Sequence, residues 1–349
     1  MKRILLTGGA GYIGSHTCLV LLEMGYELIV LDSYINSSPE AINRVLDLIK
    51  IKNPDYSKKL HLIKGDIRDS KILREIFLET HKEGKEIEGV IHFAGLKAVG
   101  ESVKNPLKYW DANVYGTINL LQVMDSFDCR TFIFSSSATI YGISNKFLTE
   151  ENEIRPINPY GTTKATIEML LNDVFNSAPE KWKIANLRYF NPIGAHDSGR
   201  LGEEPLGIPN NIFPIITKVA SGYIKVFQVY GRDWDTPDGT GVRDYIHVMD
   251  LAEGHVSALE HLLKSHSKVL NLNLGTGKGT SVLELINTFQ EVNNVKVPYI
   301  FSDRRIGDTS TLIANNTFAT SILNWSPKRT LSDMCKDGWA WQLFINSVQ

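Results

Sequence analysis

Cysteine is scarce in this chain: Cys18, Cys129 and Cys335 are the only three among 349 residues, far apart and odd in number. That excludes a disulfide framework and provides no CxxC pair for a redox or metal centre, so a reducing, cytoplasmic setting is expected. Long apolar runs are missing too. None approaches the roughly 20 residues that a membrane-spanning helix needs. The opening Met1-Lys-Arg-Ile-Leu-Leu-Thr-Gly-Gly reaches glycine too early for the apolar core of a signal peptide, so no membrane partner and no export are expected. Charge of one sign is not in excess either: 37 lysines and arginines face 39 aspartates and glutamates. Such a balance generates no field to hold a nucleic acid or an anionic surface, and a small-molecule substrate is the expected partner.

What the chain has is enough length for two domains or one large α/β unit, and an alternation of short apolar runs with helical patterns. Strands are predicted at 3–7, 27–31, 60–63, 90–93, 131–135 and 183–187. Between them apolar residues recur at helical spacing: Ile42, Val45, Leu46 and Ile49 after Ser38-Pro39, then Val114, Ile118 and Leu121, then Ile167, Leu170, Leu171 and Val174 after Asn158-Pro159. These stripes read as sheet-facing or dimer-facing core. The pattern is that of repeated βαβ units, and the fold class expected is α/β, a Rossmann-type doubly wound parallel sheet over 1–190. From about residue 191 glycine and proline thicken and the alternation lapses, so a smaller C-terminal α/β lobe is expected over 191–349. Its elements are predicted as a long helix within 242–263, a segment that packs back on the first domain, then a strand over 269–274 and a helix over 281–292.

Gly8, Gly11 and Gly14 form a GxxGxxG frame directly after the first strand and at the mouth of a helix. Glycine is needed there because the backbone must turn tightly, approach a pyrophosphate closely and let the helix pack on the strand. The helix N-terminus then faces the phosphate charge. Glycines alone are weak evidence, but Asp32 ends the second strand, where a carboxylate can bind the adenosine ribose and repel a 2′-phosphate. NAD is therefore expected rather than NADP. Gly65-Asp66-Ile67 and Phe93-Ala-Gly-Leu-Lys97 lie at the carboxyl ends of two further strands, the edge along which open parallel sheets bind ligands.

Tyr160-Gly-Thr-Thr-Lys164 puts a phenol and an ammonium on one helical face. A phenol of pKa about 10 becomes a base near neutrality only if lowered by roughly three units, about 4 kcal/mol, which a lysine cation and an oxidised nicotinamide could supply. Ser135-Ser-Ser-Ala-Thr139 follows the fifth strand, and Ser137 could share the proton of a reacting substrate hydroxyl. A surface Tyr–Lys pair and a polar turn are the plain alternatives, but the three features together point to catalysis.

These residues resemble the extended short-chain dehydrogenase/reductase family, and within it the 4-epimerases of UDP-hexoses. The likeness covers essentially the whole chain and is carried by 7–16, 92–102, 134–142, 187–192 and 238–247. It implies that Tyr160 is the base, Lys164 its electrostatic tuner and ribose anchor, and Ser137 the partner of the sugar 4-hydroxyl. Tyr12, Ile13, Asp32, Asn36, Ser37, Asp66, Ile67, Phe93, Ala94, Lys97, Asn113 and Phe190 are implied to line NAD. Lys97, Asn191, Asn211, Tyr230, Arg243, Arg305 and Asp308 are implied to meet the UDP-hexose, which makes the second lobe mainly substrate-binding. Guanidinium groups suit that task because they clamp diphosphate oxygens through paired hydrogen bonds. The activity implied is reversible inversion at C4, linking UDP-glucose and UDP-galactose through a 4-keto sugar, in a homodimer joined through the helices beside Asn113 and Tyr160.

Rival readings remain within the fold. Nucleotide-sugar 4,6-dehydratases carry an Asp-Glu pair after a threonine in the serine loop, where this chain has Ala138 and Thr139. A UDP-glucuronate decarboxylase would need a pocket for a C6 carboxylate, and a non-catalytic NAD-binding module would typically lack Tyr160 or Lys164. The run 233–239 looks like a calcium loop with the wrong spacing, 275–279 lacks the P-loop frame, and His261 with His266 is no metal signature, so no metal is expected. Two departures bear on substrate range. Leu312 occupies the place where relatives that reject N-acetylated sugars carry tyrosine, and Ile306 replaces a glutamate expected beside Arg305.

Overall fold

The computed structural model describes residues 2–142, 147–207, 209, 211–305 and 308–348. Ile306 lies outside the described residues. The chain forms two compact units, one comprising Met1–Ile140, Pro156–Arg188 and Ala252–Leu272, the other Tyr141–Arg155, Tyr189–Leu251 and Asn273–Gln349.

The first unit is built on a seven-stranded sheet. Its strands are β1 (Arg3–Thr7), β2 (Glu27–Asp32), β3 (Leu60–Lys64), β4 (Ile87–His92), β5 (Thr131–Ser137), β6 (Lys183–Tyr189) and β7 (Lys268–Leu274). Their spatial order is β7-β6-β5-β4-β1-β2-β3. β1 pairs in parallel with both β2 and β4, β2 with β3, and β4 with β5. Sequence order reverses at β1, so the edge where β1 and β4 end is the switch point at which such sheets take ligands. The fold is the α/β, Rossmann-type arrangement that the alternating runs predict. β1, β2 and β5 are buried along their whole length, which is why they read as near-continuous apolar runs.

Local chemistry sets the helix starts. Asn158 caps Pro159–Ser177 by accepting from the Gly161 amide at 2.8 Å, with Pro159 at the first helical position. Ser38 caps Pro39–Lys52 in the same way. Gly116–Ser126 is preceded by a wide, π-helical turn, Trp110–Tyr115, which carries Asn113. Phe77, Leu120, Met124, Phe132, Phe134 and Trp182 are among the buried side chains that fill this unit.

Two segments cross the boundary expected near residue 190: 141–155 joins the second unit and 252–272 the first. The latter does so because β7 extends the large sheet beyond β6.

In the second unit, Phe213, Phe227, Val229, Ile286 and Phe289 are central to the core. The long helix expected within 242–263 is preceded by strands. Val242–Arg243 and Tyr245–His247 are short strands, and the helix runs from Val248 to Lys264. The cause is tertiary: Val242 and Arg243 pair with Thr311 and Leu312, while Tyr245–His247 pairs with Asn191–Ile193. Ser281 and Glu284 form a capping box on Val282–Asn293, one residue from the predicted start.

Candidate active site

The glycine turn fits a dinucleotide by its lack of side chains. Gly8 has φ +70°, and a Cβ there would lie 2.5 Å from the Ala94 amide nitrogen. A Cβ on Gly14 would lie 2.6 Å from the Gly8 carbonyl oxygen. The two turns at the switch point are joined because the Phe93 and Ala94 amides both donate to the Thr7 carbonyl, at 2.9 Å each. Gly11 is the N-cap of Tyr12–Glu23 and has no side-chain cap, which leaves that helix end open to an anion.

Asp32 is buried at the end of β2. Its carboxylate accepts from the Ala10 amide at 2.9 Å, the Tyr34 amide at 2.9 Å and the Ser37 hydroxyl at 2.7 Å. Asn36 lies exposed on the same loop. Asp66 is held by Arg68, whose guanidinium keeps that carboxyl below its usual range, and Ile67 packs in the core beneath.

Asn113 is buried, and its amide spans two elements. It accepts from the Leu96 amide at 2.7 Å and donates to the Leu96 carbonyl and the Thr163 hydroxyl, each at 3.1 Å. It thus ties the loop after β4 to the helix that carries Tyr160. His92 bridges Thr7 at 2.6 Å and Thr117 at 3.0 Å, and burial with the nearby Lys164 charge pushes its pKa down to about 3. It is therefore a neutral imidazole joining β1, β4 and the helix Gly116–Ser126.

Tyr160 is buried, and the Ser137 side chain facing its phenol opposes the upward push of burial on that group. Ser137 also accepts from the Thr139 hydroxyl at 3.0 Å and the Thr139 amide at 3.3 Å. Lys164 Nζ donates to the Ser135 carbonyl at 2.7 Å, 5.9 Å from the centre of the Tyr160 ring and 4.7 Å from that of Phe134. Burial favours the neutral form of each group, raising the phenol and lowering the ammonium to about 7. A phenolate and an ammonium formed together offset that cost through their mutual attraction. Lys97 is exposed on the loop after β4.

Of the residues expected to meet the UDP-hexose, Lys97 falls in the first unit and Asn191, Asn211, Tyr230, Arg243, Arg305 and Asp308 in the second, as does Phe190. Arg243 is ion-paired with Asp308, and Arg305 stacks 3.8 Å over the Tyr230 ring. Asn211 donates to Glu203 at 2.9 Å, and the Asn191 amide donates to the Asp244 carbonyl at 3.0 Å.

Several residues that shape these groups escaped the sequence reading. Asp244, fully buried, accepts from the Thr276 and Gly277 amides, the Thr276 hydroxyl and the Ala314 amide, at 2.7–3.1 Å. It fixes the strand that bears Arg243 and explains the glycine-rich run 275–279, where a Cβ on Gly275 would strike its carboxylate at 2.6 Å. Glu168 and Arg188 form a buried pair behind Lys164. Glu168 is four residues beyond Lys164, a spacing visible in the sequence, but nothing there names Arg188 as its partner. Among the described residues, no group of histidine, cysteine and acidic side chains could hold a metal, and no helix is long and apolar enough to cross a membrane.

A glycine cradle at the switch point of a parallel sheet, together with a buried Ser–Tyr–Lys set, defines an enzyme of the short-chain dehydrogenase/reductase class. The family profile described as GDP-mannose 4,6 dehydratase matches residues 5–338, and the chain belongs to that branch of the extended short-chain dehydrogenase/reductase family. A UDP-glucose 4-epimerase of Bacillus subtilis is 50% identical over 340 residues, covering 97% of this chain and 96% of that protein. A Stenotrophomonas maltophila UDP-glucose-4-epimerase, solved with bound NAD and formylated UDP-arabinopyranose, superposes with TM-score 0.93 at 41% identity over the whole of both chains. The Bifidobacterium longum UDP-glucose 4-epimerase in complex with NAD+ and UDP gives 0.91 at 46% identity over 98% of each.

Proposed function

We propose that the chain inverts C4 of UDP-hexoses reversibly, interconverting UDP-glucose and UDP-galactose through a transient 4-keto sugar. The observation that carries this reading is the buried Tyr160 phenol facing the Ser137 side chain, with Lys164 one turn away on the same helix. At the positions where a dehydratase would hold its acid and base, Ala138 is buried and Thr139 donates its hydroxyl to Ser137. Elimination of water therefore lacks its proton-transfer groups, although the family profile is described by a dehydratase.

NAD, when bound, supplies reversible two-electron oxidation of the sugar carbon. Gly8, Gly11, Gly14 and Asp32 would hold it, with Tyr12, Ile13, Asn36, Ser37, Asp66, Ile67, Phe93, Ala94, Lys97 and Phe190 around it. Asn113 would contribute by fixing the loop at Leu96. Tyr160 takes the 4-hydroxyl proton as phenolate, Ser137 shares that hydrogen bond, and Lys164 stabilises the negative oxygen. The same phenol later returns the proton to the other face of the sugar. Arg243 and Arg305 would clamp the diphosphate, with Asn191, Asn211, Tyr230 and Asp308 beside them. Tight hold on the nucleotide and loose hold on the hexose let the keto sugar turn over between the two half-reactions.

A homodimer belongs to the same reading. It is supported by exposed apolar side chains at Leu107, Trp110 and Tyr115 and at Met169 on the helix that carries Tyr160. Three buried, unpaired cysteines support a cytosolic setting. Leu312, half-buried and in register with Arg243, supports tolerance of N-acetylated UDP-hexoses.

The test is to give the purified protein UDP-galactose and follow UDP-glucose formation by coupled oxidation. Parallel incubations with UDP-glucose and UDP-glucuronate would be examined for a 4-keto-6-deoxy product and for carbon dioxide. UDP-glucose formation without either by-product supports the proposal; either by-product in place of epimerisation would overturn it.

A further inference from the structure

The site contains a charged pair that the proton transfer does not use. Glu168 lies one turn beyond Lys164 on the helix Pro159–Ser177. Arg188, on β6, donates from Nε to both Glu168 oxygens at 3.1 Å and from Nη2 to Oε2 at 2.6 Å. The Ser136 hydroxyl donates to the same carboxylate at 2.5 Å. Each member of the ion pair is only 2% exposed. A pair so thoroughly removed from water holds a sheet to a helix no better than apolar side chains of similar volume would. Its charge therefore calls for a purpose beyond adhesion.

We infer that Glu168, held by Arg188 and Ser136, is a positioning residue that fixes β5 against the catalytic helix and keeps a negative charge one turn behind the Lys164 ammonium. Two consecutive residues of β5 meet that helix: Ser135 through its carbonyl, on Lys164, and Ser136 through its hydroxyl, on Glu168. The next residue is Ser137, the partner of Tyr160, so this register places the serine hydroxyl at the phenol. The Ser135 side chain leaves the opposite face of the strand and meets His255 at 3.3 Å.

Among the described residues, the surroundings of Lys164 offer no substitute for this carboxylate. Tyr160 is on its own helix, and His92, on β4, is neutral. The loop after β4 presents Gly95, the turn Trp110–Tyr115 presents the Asn113 amide, and β5 a carbonyl. The segments packed against the helix carry Glu101, paired with Lys108 and Tyr109, and Asp111, paired with Arg68 toward solvent. Glu168 opposes the downward pull of burial on Lys164.

This inference rests on the reading of Lys164 as the cation that supports Tyr160, so the test includes a measurement independent of turnover. In NAD-loaded protein carrying 13C at the lysine ε-carbon, the Lys164 signal is assigned by its loss in Lys164→Arg and titrated with pH. Glu168→Gln keeps an acceptor for Ser136 while removing the charge, and its titration midpoint should fall by about one pH unit or more, with the alkaline limb of kcat falling in parallel. Glu168→Asp should return the midpoint to within about half a unit of wild type. Should the single charge deletion not fold, Glu168→Gln with Arg188→Met leaves no unpaired charge, and a smaller downward shift is expected from it. A folded Glu168→Gln protein with an unshifted midpoint, or an unshifted double variant where the single one does not fold, would overturn the inference. Full turnover in Tyr160→Phe would instead overturn the base assignment and leave the lysine titration to be judged on its own.

Discussion

Lys164→Met removes the cation from the site and keeps much of the side-chain volume. The ammonium stands 5.9 Å from the centre of the Tyr160 ring. At an effective dielectric of about 20, two unit charges roughly 6 Å apart attract by on the order of 3 kcal/mol, equivalent to about two pK units on the phenol. Burial already raises that phenol above its ordinary value, so the lost support falls on a group that needs it. The acid limb of the kcat profile for UDP-galactose should therefore move up by about two pH units, with turnover at pH 7 falling about 100-fold. The sign follows from the form required: if phenolate is the active species, raising its pKa removes it at neutral pH and restores it only in alkali. NAD retention must be measured alongside, by releasing and quantifying the nucleotide, because Lys164 is also expected to anchor the nicotinamide ribose. A NAD-loaded variant whose acid limb superposes on that of wild type would refute the electrostatic role, whatever its rate.

Tyr160→Phe should lower epimerisation by about 10³-fold or more while leaving the thermal unfolding midpoint nearly unchanged; turnover near that of wild type would reject the assigned base. Gly14→Ala puts a methyl 2.6 Å from the Gly8 carbonyl oxygen, so the variant should purify with little or no NAD, measured by absorbance after denaturation. Asp244→Asn turns one of a buried acceptor set into a donor facing backbone amides and should cost about 2–4 kcal/mol in chemical denaturation. UDP-N-acetylgalactosamine should be converted at a measurable rate, and Leu312→Tyr should depress that conversion more than conversion of UDP-galactose; no conversion by the parent protein would reject the role given to Leu312.

Much of this protein was written locally in the sequence. The apolar runs of β1, β2 and β5 are continuous because both faces of a central parallel strand are buried, and the runs themselves announce it. Asn158-Pro159 fixes the start of the catalytic helix by its own cap, and Tyr160 and Lys164 share a face through helical periodicity alone. Gly8 and Gly14 are dictated by steric limits that short-range geometry imposes.

Other features needed distant partners. Residues 242–247 continue an apolar pattern into the Val248 helix, and only pairing with 191–193 and 311–312 makes them strands. Asn113 looks like an ordinary helical polar residue until folding brings Leu96 and Thr163 to its amide. Glu168 reads as one more exposed helix carboxylate until β6 delivers Arg188 and β5 delivers Ser136. Propensity, capping and side-chain spacing act within a few residues and are fixed by covalent order. Buried hydrogen bonds and ion pairs join groups that only the packed chain brings together, so tertiary structure alone decided the charge and register around Tyr160.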